Sequence, residues 1–245
     1  MKRGSWIAER SGVERSLAAS GRRFGLGGLE LERLRALIAA LAAEPHAPTA
    51  VRDPVEIADR HVAAALAALE LESVRAARRI VDVGSGAGFP GLPLAIALPA
   101  AWIDLLEASR RKCGVIERLI AAATVSNARA VATRAETWAD GEGRDAYDLV
   151  TVRAVAGLAV LVEYAAPLLR PGGVLVAWKG RREAAEERAG AAAAATVGLG
   201  PVEVIGVKPF PTAHDHHLHV FAKVSTTPPG FPRRPGRAAK RPLGH

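Results

Sequence analysis

The sequence predicts an α/β protein in which a seven-stranded, mostly parallel sheet follows an N-terminal helical cap. Two observations lead to this fold class. From Arg79 onward, short apolar runs alternate with stretches of helical spacing, which is typical of a parallel sheet covered by helices on both faces. Before Arg79, helical spacing alone is found. A chain of 245 residues can bury one large core with appendages.

The first 78 residues divide into two predicted segments. Residues 1–28 mix charged residues with Gly and Ser and show no sustained period, so we expect a loosely ordered arm. Residues 29–78 are predicted to form the helical cap, because one helical pattern stops before Pro45 and another begins near Pro54 with Asp53 as N-cap. The first of these helices has apolar residues at helical spacing, namely Leu31, Leu34, Leu37, Ile38 and Leu41.

Residues 79–224 are predicted to form the α/β domain. Its expected strands are the apolar runs 79–83, 101–106, 128–133, 146–152, 173–178, 202–207 and 217–224. Helices fill most of the gaps, but a short loop separates the last two strands. Because a parallel crossover needs a long connection, the final strand is expected to be antiparallel.

The C-terminal tail, residues 225–245, is rich in Pro and Gly and contains no acidic residue. Five basic side chains make it a cationic extension: Arg233, Arg234, Arg237, Lys240 and Arg241. Two interpretations stay open and are compatible with each other. The tail is either a solvated, disordered end or a segment that contacts RNA.

Composition limits the possible partners and compartments. The formal net charge of +8 and the isoelectric point near 10.3 favour a polyanionic partner. Cys113 is the single cysteine, which excludes an intramolecular disulfide and a multi-cysteine metal site and fits a reducing cytoplasm. The chain has no long uninterrupted apolar run and its first residues lack an apolar signal core, so we expect a soluble cytoplasmic protein without a membrane partner.

The stretch RIVDVGSGAGFPG is the strongest motif in the chain. A β-branched strand ends after Asp82, and Gly84, Gly86 and Gly88 then form a turn before an apolar helix. The dinucleotide fingerprint needs a glycine where Phe89 stands, so that pattern fails. The spacing instead resembles the cofactor loop of class I S-adenosylmethionine methyltransferases. A purely structural turn is the alternative.

Three further positions follow later predicted strands. Glu107 lies about 20 residues beyond the glycine turn, where a carboxylate can accept both ribose hydroxyls of an adenosine-containing cofactor. After the third strand, an adenine ring could lie against the backbone at Ala135 while Glu136 helps to fix it. Arg153 ends the fourth strand at the edge where ligands bind in such sheets. The structural alternatives are a surface acid, a surface salt bridge and a structural ion pair, respectively.

Other candidate chemistry is absent or unfavoured. The fourth strand is not followed by the Asn/Asp-Pro-Pro-aromatic box that accepts a proton from an exocyclic amine. Cys113 lies in a predicted helix and is interpreted as a helix-face residue rather than a nucleophile. We predict no metal site, because alternate residues of a strand face opposite ways. This argument applies to the histidine-rich segment that contains His214, Asp215, His216, His217 and His219.

Taken together, the motifs resemble the bacterial 16S ribosomal RNA guanine-N7 methyltransferase family, historically called glucose-inhibited division protein B. The matching pieces occur in order and are AVRDPVEIADRH (50–61), DVGSGAGFPGLPLAI (82–96), LLEASRRK (105–112), RAE (134–136), VRAVA (152–156), WKG (178–180) and the tail FPRRPG. The chain departs from the family pattern at AEPHAPTAV, before the Arg-Asp-Pro piece, and at His216-His217-Leu218. These departures concern the cap and the surface that faces RNA.

The resemblance implies a class I, Rossmann-like methyltransferase domain over residues 79–224 that uses S-adenosyl-L-methionine. It matches Gly84, Phe89, Ala135, Glu136 and Arg153 to cofactor-contacting positions of the family and Glu107 to its acidic position after the second strand. We add Asp82, Gly86 and Gly88 to the predicted cofactor-binding residues. Contacts with RNA are expected from Lys179, Arg181, Arg233, Arg234, Arg237 and Lys240.

The implied reaction methylates N7 of a guanine in 16S rRNA, either free or in the assembling small ribosomal subunit, by a monomeric enzyme. Guanine N7 has a free lone pair, so no general base and hence no catalytic side chain is expected. Because the major groove of A-form RNA is too deep and narrow for side chains, the target should be an unpaired or flipped nucleotide. The alternatives are a methyltransferase with a different acceptor, a nicotinamide-dependent oxidoreductase, and an RNA-binding protein without catalysis.

Overall fold

A computed structural model describes the backbone of residues 3–244 and the side chains of residues 11–244. Seven strands lie in this part of the chain: β1 (Arg79–Val83), β2 (Trp102–Leu106), β3 (Ala128–Val131), β4 (Tyr147–Arg153), β5 (Leu169–Lys179), β6 (Glu203–Val207) and β7 (His216–Ala222). They form one sheet in the order β3-β2-β1-β4-β5-β7-β6. Strand β7 is antiparallel to both β5 and β6, whereas the other pairs are parallel. The predicted fold class is thereby confirmed.

The strand order places a crevice at the centre of the sheet. From β1 the chain moves outward through β2 and β3, then returns to form β4 on the other side of β1. Ligands in open α/β sheets bind at this switch point, outside the carboxyl ends of the strands. Most strand boundaries differ from the prediction by one or two residues, and the largest difference is in β5, which begins at Leu169 and there pairs with Tyr147 before a register shift.

Helices cover both faces of the sheet. Those of the α/β domain are α6 (Gly91–Ala97), α7 (Arg110–Ala122), α8 (Ala135–Ala139), α9 (Leu158–Ala165) and α10 (Ala184–Val197). Successive strand residues point into different cores: Ile80 and Leu149 pack with the cap, α6 and α7, whereas Val81 and Val150 pack with α9 and α10. None of the helices within residues 3–244 is both long and apolar enough to span a membrane.

The prediction of a loosely ordered arm over residues 1–28 is wrong for residues 3–28, and residues 1 and 2 lie outside the described part of the chain. Residues Arg3–Phe24 form helix α1, and its buried Val13 and Leu17 belong to the same core as the cap. Gly12 allows close helix packing, because a Cβ there would lie 2.7 Å from Cγ2 of Val55. Small residues at a helix contact resemble a loop in sequence, which explains the wrong prediction.

The rest of the cap is mostly helical, as the sequence predicted for residues 29–78. Its helices are α2 (Gly28–Ala43), α3 (Pro54–Ile57), α4 (Ala64–Leu66) and α5 (Glu72–Ala76), with a π-helical segment at Ala58–Ala63 and a 3₁₀ segment at Ala67–Glu70. Oδ1 of Asp53 accepts hydrogen bonds from two amides at the start of α3, so the predicted N-cap is confirmed. Glu44, at the end of α2, pairs with Arg118 of α7 and joins the cap to the domain; this hydrogen-bonded guanidinium lowers the pKa of Glu44 to about 2.

The C-terminal tail packs against the α/β domain, so the interpretation as a solvated, disordered end is wrong for the described residues 225–244. Helix α11 (Arg237–Lys240) contains the buried Ala238, and Phe231 and Leu243 pack against the core under α9 and α10. Arg233 pairs with the buried carboxylate of Glu163. Apolar burial and this ion pair hold a segment whose Pro and Gly content suggested disorder.

Candidate functional site

A cavity of about 540 Å³ lies at the carboxyl ends of the central strands. The loops after β1, β2, β3 and β4 form most of its wall, and the cap adds Pro48, Thr49 and His61. The cavity therefore occupies the switch point between β1 and β4, where this topology places ligands. The cap is part of the site and not a separate appendage.

The loop after β1 is folded to leave room above its own backbone. Gly84, Gly86 and Gly88 all have positive φ, at 69°, 59° and 89°. A Cβ on Gly84 would lie 2.6 Å from Cγ2 of Val155, so the loop approaches the β4 loop closely there. A Cβ on Gly86 would meet nothing nearer than a backbone oxygen at 3.9 Å. The space over Gly86 is thus open to a ligand that lies against the main chain.

Asp82 and Gly88 are the two predicted cofactor-binding residues that lie behind the cavity wall rather than on it. Asp82 is fully buried; Oδ1 accepts from the Thr151 hydroxyl at 2.9 Å and Oδ2 from the Gly91 amide at 3.2 Å. Burial raises the pKa of Asp82 to about 6. Neither residue lines the cavity: Asp82 ties β1 to β4 and α6, and a Cβ on Gly88 would lie 2.5 Å from Cδ1 of Leu92. That they bind the cofactor stays a prediction.

Glu107 lies on the wall at the end of β2, as predicted. Its Oε1 accepts from the Ser109 amide at 2.9 Å and its Oε2 from the Gly86 amide at 3.2 Å, while Nζ of Lys112 lies 3.8 Å from Oε2. An ionised carboxylate has about four acceptor sites, so capacity remains for a ligand with two hydroxyls. Cys113 is buried beneath and its thiol donates to the Glu107 carbonyl; burial raises its pKa, which fits a structural role.

Ala135 and Glu136 line the cavity at the start of α8, opposite Tyr164 of α9. The Glu136 side chain is buried, and its Oε1 accepts a hydrogen bond of 2.7 Å from the amide of Gly236 in the tail. Sequence reasoning identified Glu136 but not the tail behind it. A hydrogen bond between residues 100 positions apart leaves no pattern in the local sequence.

Arg153 lies at the opposite side of the cavity, in a network with the cap. Its Nη1 donates to the Arg60 carbonyl and its Nη2 bonds Nδ1 of His61, both at 3.0 Å. Because a guanidinium can only donate, Nδ1 of His61 accepts and Nε2 donates to the Thr49 hydroxyl at 3.0 Å. The His61 ring also lies 5.0 Å from the Phe89 ring. This network fixes the tautomer and orientation of the histidine.

His61 was missed from sequence although it closes the AVRDPVEIADRH motif. Burial, and secondarily the nearby Arg153 charge, lowers the pKa of His61 to about 4. The ring is therefore neutral at physiological pH, and its acceptor nitrogen is occupied by Arg153. His61 lies in the π-helical segment Ala58–Ala63. Such segments are frequent at functional sites, but this one is visible only in the structure.

The wall can bind and orient a ligand better than it can remove a proton. Of its ionisable side chains, Glu107 and Glu136 accept backbone hydrogen bonds and His61 is held neutral. Arg153 is a permanent donor. This donor and acceptor set suits a group transfer to an atom that already carries a lone pair.

The residues predicted to contact RNA divide into two groups. Lys179 pairs with Glu186 at 2.6 Å, and Arg233 pairs with Glu163. Four others have exposed side chains that make no ion pair within residues 11–244: Arg181, Arg234, Arg237 and Lys240. The histidine-rich segment gives no cluster of three metal-binding side chains in the described residues. There, His217 bonds the Gly180 carbonyl and His219 bonds Glu187.

Sequence comparison gives consistent relatives. The family model described as rRNA small subunit methyltransferase G matches residues 30–211. A protein of that name from Synechococcus sp. (strain JA-3-3Ab) is 37% identical over 205 residues, covering 80% of this chain and 78% of that protein. Another, from Roseiflexus castenholzii (strain DSM 13941 / HLO8), is 40% identical over 205 residues, covering 80% of this chain and 83% of that protein.

Solved structures with a similar fold are distant in sequence. The S-adenosylmethionine-dependent methyltransferase SibL, in its apo form, gives a TM-score of 0.56 at 15% identity, covering 87% of this chain and 74% of that chain. An S-adenosylmethionine-dependent O-methyltransferase from Thermotoga maritima gives a TM-score of 0.54 at 16% identity, covering 67% of this chain and 66% of that chain. They confirm the class I methyltransferase fold and carry no information on the acceptor.

Proposed function

Because this chain belongs to the rRNA small subunit methyltransferase G family, we propose that it methylates N7 of a guanine in 16S ribosomal RNA with S-adenosyl-L-methionine as donor. One observation carries the proposal: the cavity combines the open glycine loop and Glu107 with a histidine, His61, whose two ring nitrogens both already make hydrogen bonds. A methyl transfer to guanine N7 needs a site for the donor and needs no general base.

The residues around the cavity fit the donor. The open space over Gly86 admits a ligand against the main chain, and Glu107 has acceptor capacity for the two ribose hydroxyls. The backbone at Ala135 and the carboxylate of Glu136 suit an adenine ring and its amino group. When bound, the donor supplies an electrophilic methyl group on a sulfonium centre. The loop and the acids bind and orient it and take no proton.

The network of Thr49, His61 and Arg153 forms the wall on the cap side, where we expect the acceptor to enter. Its internal hydrogen bonds hold the ring and the guanidinium in one arrangement. Rigid positioning is what the reaction requires, because nucleophile, methyl carbon and sulfur must be in line at about 3 to 3.5 Å. Guanine N7 attacks with its own lone pair, so alignment replaces base catalysis.

The RNA partner is supported by charge and by the chemistry of the acceptor. A net charge of +8 attracts phosphates. N7 lies in the major groove, which in A-form RNA is closed to side chains, so we propose an unpaired or flipped guanine as the target. We further propose that the chain acts as a monomer in the cytoplasm on 16S rRNA or on the assembling small subunit.

The test is a methyl transfer assay with labelled S-adenosylmethionine and three acceptors: naked 16S rRNA, partly assembled small subunits and a mixture of free nucleosides. We expect label in RNA, at a guanine where borohydride and aniline treatment cleave the strand, as they do at 7-methylguanosine. Comparison of the first two acceptors identifies the substrate form. Label on an exocyclic amine, on free nucleosides alone or on none of the acceptors contradicts the proposal.

A thermal shift measurement separates the donor from a nicotinamide cofactor. S-adenosylhomocysteine at 100 times its Kd should stabilise the protein by about 2.7 kcal/mol. NAD at the same concentration should leave the unfolding temperature unchanged. Stabilisation by NAD alone would favour the oxidoreductase alternative.

A further inference from the structure

The C-terminal tail reaches the cavity wall through a backbone hydrogen bond. The amide of Gly236 donates to Oε1 of Glu136 at 2.7 Å. Gly236 has φ of 79°, a conformation that favours glycine, and it directly precedes helix α11. The tail thereby contacts a buried carboxylate at the start of the five-residue helix α8.

Arg233 anchors this part of the tail to α9. Its Nε donates to Oε1 of Glu163 at 2.6 Å, and its Nη2 donates to Oε2. The Glu163 side chain is only 3% exposed, so Arg233 neutralises a charge that could not be left alone in the core. Nη2 also donates to the Arg241 carbonyl at 2.9 Å and so links the chain before α11 to the residue that follows it.

The anchor and the cavity share a helix. Glu163 is followed on α9 by Tyr164, which lines the cavity opposite Glu136. The Phe231 carbonyl accepts from Nη1 of Arg144 at 3.1 Å, so the segment is tied at its beginning as well. We name residues 231–241 the strap. The strap is anchored to the buried carboxylate of Glu163 through Arg233, and it contacts Glu136 through the amide of Gly236.

We propose that the strap is part of the cofactor site, in which Arg233 and Gly236 are positioning residues that hold Glu136 toward the adenine ring and so set donor affinity and base selectivity. This rests on the proposed function, since it assigns the adenine to this end of the cavity. A carboxylate with one oxygen fixed presents the other in a defined direction, and it accepts well from an amino group. Without the strap, Glu136 can rotate into water and that selectivity falls.

The experiment compares two methyl-donor products by calorimetry on the full chain without RNA. S-adenosylhomocysteine carries the adenine amino group, whereas S-inosylhomocysteine has a carbonyl there that repels a carboxylate. The unmodified protein should prefer the adenine compound by about tenfold or more, as for a hydrogen bond to a charged group. In Arg233→Ala we expect this ratio to fall to within about threefold of unity, with adenine affinity lowered about tenfold.

Three further variants and one control variant show whether Arg233 acts on donor binding through Glu136. Arg233→Lys keeps one charge contact with Glu163 and should recover part of the ratio. Glu136→Gln should lose the ratio as Arg233→Ala does, and the double variant should lose no more than the larger of the two, because both act through one carboxylate. Arg188→Ala, which removes an exposed arginine of α10 outside the strap, should keep the donor affinity of the unmodified chain.

Two results distinguish the possible failures. If the unmodified chain binds neither compound, the proposed function fails. If it binds and discriminates but folded Arg233→Ala discriminates equally well, the strap is a structural element only and the inference is overturned. Should Arg233→Ala not fold, amide hydrogen exchange on the unmodified chain decides: S-adenosylhomocysteine must slow exchange at Gly236, and unchanged exchange overturns the inference.

Discussion

The two ends of the cavity are built from opposite ends of the chain. We name the two ends after the roles proposed for them: the transfer end is lined by Thr49, His61 and Arg153, and the adenine end by Ala135 and Glu136. At the transfer end, the cap contributes Thr49 and His61 to a network that Arg153 completes. At the adenine end, the tail contributes the amide of Gly236, which holds Glu136. Both ends therefore depend on segments outside the α/β domain, although the glycine loop and Glu107 between them belong to it.

The two ends of the cavity differ in the hydrogen-bonding groups that they leave available to a ligand. At the transfer end, both nitrogens of His61 are bonded and the ring is neutral. At the adenine end, one carboxylate oxygen of Glu136 makes no hydrogen bond within residues 11–244. The first arrangement gives rigidity, and the second gives recognition. Methyl transfer without proton transfer needs both, and the predictions below separate them.

The largest effect is expected at the transfer end. Arg153→Ala removes the two bonds that tie the cap to β4, so the wall shifts and the alignment of the reactants is lost. We expect the single-turnover rate at saturating RNA and donor to fall about 100-fold, as for displacements of about 1 Å. Rapid-quench kinetics measure this rate.

The control for this variant is Arg188→Ala, which removes an exposed arginine of α10. Donor affinity of Arg153→Ala should also fall, because Arg153 is a predicted cofactor-contacting residue, but by less than the rate, because Glu107 and Glu136 are unchanged. A turnover equal to that of the unmodified enzyme would remove Arg153 from the site.

A smaller effect is expected at the centre. Glu107→Gln keeps the size of the side chain and one acceptor but loses the charge that attracts ribose hydroxyls. We expect the Kd for S-adenosylhomocysteine to rise about 10-fold to 30-fold, because hydrogen bonds to charged groups contribute about 1.5 to 3 kcal/mol. The rate at saturating donor should change little. A large loss of rate with unchanged Kd contradicts this role.

The sequence predicted the parts of the site that have local patterns. Strand periodicity located all the strands, and the glycine spacing located the loop, because these depend on neighbours in the chain. Spacing identified Asp82 as a cofactor-binding residue of the loop, and in the structure its side chain lies beneath the loop, where it bonds Gly91 and Thr151. A motif marks the segment that builds a site without stating which side chains face the ligand.

The other misses depend on distant contacts. His61 gains its role from Arg153, 92 residues away, and Gly236 from Glu136, 100 residues away. Gly12 marks a close helix contact with Val55, but glycine in a charged segment also indicates a loop. One-dimensional patterns do not distinguish these cases, since the deciding neighbour is absent from the window.

A pH titration tests the rigidity of the transfer end. The pKa of His61 is about 4 in the folded chain, below its ordinary value of 6.5. Between these values the unfolded chain binds a proton that the folded chain does not, so this residue's contribution to stability is full above pH 6.5 and falls as pH drops toward 4. His61→Gln should therefore weaken the acid dependence of unfolding between pH 4 and 6.5.

The titration itself is followed by NMR of the imidazole. Arg153→Ala removes a nearby positive charge and admits water, so the pKa of His61 should rise by about one unit or more. The adenine-end variant Glu136→Gln should leave it unchanged. A His61 that titrates near 6.5 in the unmodified chain contradicts the neutral network.

The smallest effects are expected on the outer side of the strap. Arg234 and Arg237 are exposed and make no ion pair among the described side chains, whereas Arg233 points to Glu163. Replacement of either exposed arginine by Ala should weaken RNA binding about twofold to threefold and reduce the slope of log K against log salt by about one. Filter binding at several salt concentrations measures the slope. Unchanged slopes in both variants would contradict RNA contact by the exposed side of the tail. The tail would then act only through Arg233 and Gly236, on donor binding.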